Sequence, residues 1–353
     1  MFKYVLTPNG IDKLCEWIFM NTLQHTDTEI TYRQYRHGDE HAIVKLFNFV
    51  FNRNMTIDQW DWAYKENPER RLDIILAFQG TQLVGQSAST PLLFCFKGNP
   101  VKVTRVQNVM VHPDCRGKGI FTGTLKRLTE YIYQNKLDLV VTFPNNNSLL
   151  LFGNPTVIRK LDYHHLADIF TFSLPVSSLT PVDSPDISVH IDEAIHFTER
   201  DRDFIFSCMD QYEIFNARGL DYLHWRFKGT YGKKYHILRA YQNNLQVALV
   251  IFKYYPDAQS VDLVEFFVSA DKKVVLSLLN SINTHYMKND VRISSFNIWL
   301  FPHYALYKIL RDIGFCQSTF STHVVTKSFS LVTKQGFDDL HSYYLSMGDS
   351  DVY

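Results

Sequence analysis

Apolar and polar positions along the chain follow two periods in turn, near 2 where a strand is half-buried and near 3.6 where a helix is. In residues 30–36, Tyr32, Gln34 and Arg36 alternate with Thr31, Arg33 and Tyr35, which predicts a strand. His37-Gly38-Asp39 then opens an amphipathic helix with Ile43, Leu46, Phe47 and Val50 on one face. A second helix over 56–66 stops ahead of Pro68, because proline disfavours helical geometry in the residue before it. Strand-like runs follow at 73–79, 83–96 and 101–111, with Gly80-Thr81 and Gly98-Asn99-Pro100 marking the reversals. Phe121, Leu125, Leu128 and Ile132 recur at helical spacing while Lys126, Arg127 and Glu130 occupy other faces, so 121–135 is a third helix. Residues 137–143 and 167–174 read as buried strands. The order β-α-α-β-β-β-α-β-α-β predicts an α/β domain built on a mixed sheet of the α+β kind.

Behind this domain the pattern returns. Residues 179–187, with two prolines and few large apolar side chains, read as a linker. Asp58, Trp62, Tyr64 and Lys65 align with Asp221, Trp225, Phe227 and Lys228, all 163 positions apart. Val109–Asp114 aligns with 266–271, and Leu161-Asp162-Tyr163 with Ile313-Gly314-Phe315, at progressively shorter offsets. The shortening falls where the first half holds Cys115-Arg116-Gly117-Lys118-Gly119, a loop the second half lacks. The expected organisation is an N-terminal extension (1–30), a first domain (31–178), the linker (179–187), a degenerate second copy (188–329) and a C-terminal tail (330–353).

Composition narrows the function. Of 353 residues 46% are hydrophobic, enough for well-filled cores, and Lys+Arg balances Asp+Glu at 36 each. No global basic field draws the chain to nucleic acid. The five scattered cysteines form neither a disulfide framework nor CxxC metal spacing, which points to a reducing, cytoplasmic setting. No stretch reaches the roughly 20 apolar residues of a membrane span.

The chemistry concentrates in 106–127, VQNVMVHPDCRGKGIFTGTLKR. A strand runs into Arg116-Gly117-Lys118-Gly119-Ile120-Phe121, and a helix follows directly. Glycines let backbone approach a ligand closely, and unpaired amides at a helix start attract anions. Such a loop suits a pyrophosphate, with Arg116 and Lys118 adding charge. It is neither a GxxxxGK[ST] loop nor a GxGxxG fingerprint.

This string resembles the Q/R-x-x-G-x-G/A motif of GNAT acetyltransferases, with Arg116 as its first element and Gly119 as the first small position; Ile120 and Phe121 depart from the usual second glycine or alanine. Phe143-Pro144-Asn145-Asn146-Asn147-Ser148, the Trp62 and Trp225 helices and the closing Gly348-Asp349-Ser350-Asp351 are similar to a tandem-domain subgroup, some of whose members acylate amino sugars. The resemblance implies an acyl-CoA N-acyltransferase using acetyl-CoA, without a metal, on a small amine acceptor such as an amino sugar. It implies that the amides of 116–121 hold the CoA pyrophosphate and that pantetheine pairs with Val109, Met110 and Val111. One of those amides would stabilise the oxyanion. Asn145, Asn147 and Ser148 would lie near the pantetheine, or else cap the next helix.

Catalytic groups are less marked. His112, after the cofactor strand, is the candidate base, and Asn108 would neighbour the reacting carbonyl. Where many family members carry a tyrosine acid, four residues before Asp162, this chain has Ile158. The adjacent His164 and His165 face opposite sides of a strand, against metal binding. Cys115 lacks an evident paired base. Asp349 and Asp351 read as a solvated acidic tail, and Trp62 and Trp225 as core or interface aromatics. The competing reading is a catalytically inactive acyl-CoA-binding or scaffold protein with the same fold.

Overall fold

A computed structural model describes residues 29–152, 161–228, 234–329 and 337–350. The extension before residue 29, Ile158 and Asp351 lie outside the described residues. The first half runs β1 (Ile30–Gln34), α1 (Glu40–Phe51), α2 (Ile57–Tyr64), β2 (Asp73–Gln79), β3 (Gln82–Phe96), β4 (Asn99–Val111), α3 (Ile120–Gln134), β5 (Leu139–Thr142), α4 (Asn146–Phe152) and β6 (His164–Pro175). This is the order expected from the periodicity. The second half follows with β7 (Ile187–Asp192), α5 (Glu199–Met209), β8 (Ile214–Asn216), α6 (Leu220–Arg226), β9 (Tyr235–Gln242), β10 (Leu245–Tyr255), β11 (Ser260–Val268), α7 (Lys272–Lys288), β12 (Ser295–Trp299), α8 (Tyr307–Ile313) and β13 (Cys316–Ser328). Apart from the short β8, the two halves have the same element order.

All strands join one 13-stranded sheet in the order β1-β2-β3-β4-β5-β13-β6-β12-β11-β10-β9-β7, with β8 beside β3. The final strands of the halves are exchanged. β13 pairs with β5 (Val325 opposite Thr142), and β6 pairs with β12 (Phe172 opposite Ile298). β6 and β13 then meet as antiparallel neighbours at the centre. Each half is therefore completed by a strand from the other, and the linear division at 179–187 is not a division in space.

A large apolar core lies between the halves. Val103 and Val141 from the first half meet Leu249, Val264 and Phe267 from the second, around Phe337, Tyr343, Leu345 and Met347 of the C-terminal segment. A second core sits under α3 (Val106, Leu125, Leu128, Val140) and another under α1 and α2 (Ile43, Trp60, Leu76, Met110). β4 thus has α3 on one face and the α1–α2 pair on the other.

The C-terminal residues correct the expectation of a solvated tail. Residues 343–350 are all buried. Asp349 accepts from Arg218 Nη2 at 2.9 Å, and the same guanidinium donates to Glu265 at 3.0 Å and to Ser346 Oγ at 3.0 Å. Arg105 of β4 donates to the Asp349 carbonyl, and Arg226 to the carbonyls of Gly348 and Ser350. Three buried arginines hold this segment inside, which the acidic composition alone did not reveal. Burial pushes the Glu265 carboxyl up, against the pull of Arg218.

Trp62 and Trp225 are interface aromatics. Each indole N–H donates to the other's carbonyl at 2.8 Å, and the rings stack 5.8 Å apart. Residues aligned by the sequence offset therefore meet reciprocally across the two halves.

Candidate active site

The site begins with a defect in β4. Between the pairs Gln86–Met110 and Ala88–Gln107 the register slips, so Asn108 and Val109 together face one residue of β3. Asn108 takes φ +51°, and its side chain donates to Tyr64 Oη of α2 at 2.8 Å. Its carbonyl accepts from Gln86 Nε2 at 3.2 Å. A trans peptide is planar with C=O and N–H opposed, so this contact turns the Val109 N–H away from Gln86.

On its other edge β4 loses its neighbour. The parallel pairing with β5 ends at Val106–Thr142, and β4 continues to Val111. Beyond Phe143-Pro144 the chain turns into α4. Residues 107–111 therefore run past the end of β5, leaving an edge on which an extended amide-bearing chain can pair.

At the end of β4 the chain forms the glycine loop singled out in the sequence. Pro113–Cys115 is a 3₁₀ turn, and Arg116 to Gly119 are exposed. Gly117 (φ +80°) and Gly119 (φ +75°) are left-handed, and Gly119 directly precedes α3. The first intrahelical acceptor, the Gly119 carbonyl, is taken by Gly123 N–H at 2.8 Å. The amides of Ile120, Phe121 and Thr122 thus precede the helical ladder and carry the positive end of its dipole. Gly85 of β3 lets α3 come this close, since a methyl group there would lie 2.5 Å from Ile120 Cγ2. In the second half only three residues separate β11 from α7, where eight separate β4 from α3.

The other sequence candidates separate. His112 is half-buried, stacks on Phe49 of α1 at 4.9 Å, and accepts from Asp114 N–H at 3.4 Å as the cap of the 3₁₀ turn. That packing gives the ring a structural task. Asn145 caps α4 by accepting from Ser148 N–H at 2.9 Å, so the capping alternative describes these two residues, while Asn147 is exposed. Cys115 is buried and 3.4 Å from Gln79 Oε1.

One group escaped sequence reasoning. His323 of β13, 6% exposed, places Nδ1 2.6 Å from Asp168 Oδ1 of β6 and Nε2 2.7 Å from Asn146 Oδ1 of α4. His165 reaches the same Asp168 oxygen at 3.0 Å. The adjacent pair His164-His165 does not act together; His165 finds its histidine neighbour on the exchanged strand. Burial tends to raise the Asp168 carboxyl, but the hydrogen bond and charge of His323, with His165 behind them, leave it below the usual range. Because β13 pairs with β5 up to Thr142, His323 sits beside the point where β5 ends. No local motif could find it, since its partners are 155 and 177 residues away.

A cavity of about 330 Å³ occupies the corresponding gap between β11 and β12, lined by Phe267, Trp299, Leu300, Tyr304 and Tyr344. Trp299 also packs on Phe143, the residue after β5, at 5.8 Å.

Comparison with known proteins accords with this geometry. Residues 31–165 match the family model of the acetyltransferase (GNAT) domain. A conserved protein of unknown function from Enterococcus faecalis V583 superposes with a TM-score of 0.66 at 13% identity, over 85% of this chain and 73% of that one. A GCN5-related N-acetyltransferase from Anabaena variabilis gives 0.66 at 11% identity, covering 86% and 74%. The N-myristoyltransferase of Saccharomyces cerevisiae with bound myristoyl-CoA gives 0.54 at 12% identity, covering 85% and 79%. Comparison with curated proteins yields no match. Residues 31–165 are a GNAT acetyltransferase domain, and the fold around them is that of the GNAT-like acyltransferases. No helix among the described residues is long and apolar enough to cross a membrane.

Proposed function

We propose that the chain transfers an acetyl group from acetyl-CoA to the primary amine of a small acceptor, an amino sugar being the first candidate. The observation that carries this reading is the bulged end of β4, without a β5 partner past Val106, leading into a glycine loop at the start of α3. In this reading the amides of 117–122 bind the pyrophosphate, with Arg116 and Lys118 adding charge. Pantetheine pairs with the 107–111 edge. The Val109 N–H, turned away from Gln86, stabilises the oxyanion as the amine attacks the thioester carbonyl. Collapse of the adduct breaks the C–S bond, and the acetyl group leaves on nitrogen as an amide.

His323 is the proton-transfer group of the proposal, in place of His112. Asp168 fixes its ring at Nδ1, and Nε2 exchanges a proton with the amine or the departing thiolate once it gives up its contact to Asn146 Oδ1. The acceptor class rests on the resemblance to members that acylate amino sugars; the aromatic cavity lies in the second half and meets the first through Trp299 on Phe143.

Calorimetric titration of acetyl-CoA and CoA into wild type and Gly119→Asp tests the cofactor site. That substitution brings a carboxylate to where the pyrophosphate would lie. Micromolar binding lost in a variant that still unfolds cooperatively supports the reading. Absence of binding by folded wild type refutes it. A thiol-release assay over amino sugars, free amino acids and peptides then tests the acceptor. CoA binding with no turnover on any of them would favour a non-catalytic acyl-CoA-binding protein.

A further inference from the structure

Far from that site, a second group of side chains converges. His236 lies on β9, His285 in the last turn of α7, and Glu193 just after β7. Six strands separate β9 from β4 in the sheet. One ligand-capable atom from each of the three residues lies within 4.8 Å of the others. The histidine rings are 5.5 Å apart.

His236 is the unusual member. It is 4% exposed, and its Nδ1 is buried with no hydrogen-bond partner. The ring is fixed, stacked on Phe252 at 5.1 Å and met edge-on by Tyr286 at 6.0 Å. An unsatisfied buried polar atom is costly, and packing alone would be served better by an apolar ring here.

We propose that Glu193, His236 and His285 form a binding site for a divalent transition-metal ion of the zinc type. Two imidazoles and one carboxylate are a donor set suited to zinc, with a fourth position left to water. The ion would tie the end of α7 to β9 and to the turn after β7. Lys234, which now pairs with Glu193 at 2.9 Å, is 68% exposed and free to swing into solvent. The distance from β4 makes the role structural or regulatory, separate from acyl transfer. The proposal departs from the sequence expectation of a chain without a metal.

The test uses the full chain, stripped with a chelator and dialysed. Zinc is titrated calorimetrically, and the melting temperature is followed with and without it. One zinc per chain at micromolar affinity, with a rise in melting temperature, is expected for wild type. His285→Ala and Glu193→Gln, both at less buried positions that should fold, are expected to weaken binding by at least about 10–100-fold and to abolish the thermal shift. His165→Ala should leave both unchanged. Failure of wild type to bind zinc overturns the proposal. So does binding that survives both ligand variants, or binding lost in His165→Ala, which would move the ion to the Asp168 cluster.

Discussion

Replacing Asp349 by alanine should destabilise the protein far more than its place four residues from the C-terminus suggests. The carboxylate is 2% exposed and accepts from Arg218 Nη2 and from Ser346 N–H, both at 2.9 Å. Breaking a buried ion pair typically costs about 3–5 kcal/mol. Two features set the value here. Arg218 keeps Glu265, and with Asp349 gone the like charge beside Glu265 is gone too, so that carboxylate takes up more of the neutralisation. Loss of the acceptor for the Ser346 N–H adds back about 1 kcal/mol. The expected cost is about 2–4 kcal/mol, or roughly 4–8 °C in melting temperature at ~2 °C per kcal/mol for a long chain. Urea unfolding followed by circular dichroism measures it. Glu66→Ala, which breaks the exposed pair with Lys228, is the control and should cost at most about 1 kcal/mol. If Asp349→Ala lies within 1 kcal/mol of wild type, the buried clamp contributes little and the argument from it fails.

Other expectations follow from the same geometry. His323→Ala should lower kcat for CoA release by about 10²–10⁴ while acetyl-CoA affinity stays within a few-fold; equal loss of affinity would make the residue structural. Gly85→Ala should push Ile120, and with it the start of α3, off the sheet. Its mark is weaker CoA binding together with an overpacking cost of about 1–3 kcal/mol, and unchanged affinity would show that the helix start need not sit so close. Asp262 is pushed up to about 6 by burial, against its bond from Asn297 and the charge of Lys253. A raised carboxyl stabilises the fold below its unfolded value, near 3.8, and loses that contribution as pH rises through about 6. Asp262→Asn should therefore gain about 1–3 kcal/mol at pH 8, with the gain vanishing below about pH 4. A pH-independent difference would refute it.

How far the chain could be read in advance depended on range. The first-half elements were legible because each is a local pattern, such as Phe121-Leu125-Leu128-Ile132 on α3 or the glycines between β2, β3 and β4. The loop at Arg116–Gly119 was legible for the same reason: positive φ at two glycines leaves a mark in sequence. The strand exchange was not. Period 2 in β13 says that one face is buried but not which strand lies alongside, so nothing local assigns β13 to β5. The His323–Asp168–Asn146 contact exists only through that exchange. The buried C-terminus was misread because Gly348-Asp349-Ser350 is acidic and polar, and its three arginine partners lie in β4, before α6 and within α6.

The offset that aligns Val109 with Phe266 also sets Asn108 opposite Glu265, and at this pair the two halves part. Both strands carry an irregularity there: β4 slips at Asn108–Val109, and β11 slips between its pairs with Ile251 and Phe252. In the first half Asn108 is tied to the Tyr64 hydroxyl, and β4 runs on into an eight-residue loop that ends in the exposed Gly117-Lys118-Gly119. In the second, Phe227 replaces that tyrosine without a hydroxyl, and Glu265 is instead engaged by Arg218 and covered by Gly348, where even a methyl group would collide with its carboxylate. With only three residues before α7, no loop remains to hold a phosphate. The C-terminal segment thus packs against the counterpart of the bulge that the proposal gives to acetyl-CoA in the first half. Its anchor on Arg105, three residues before Asn108, joins the filled site to the open one.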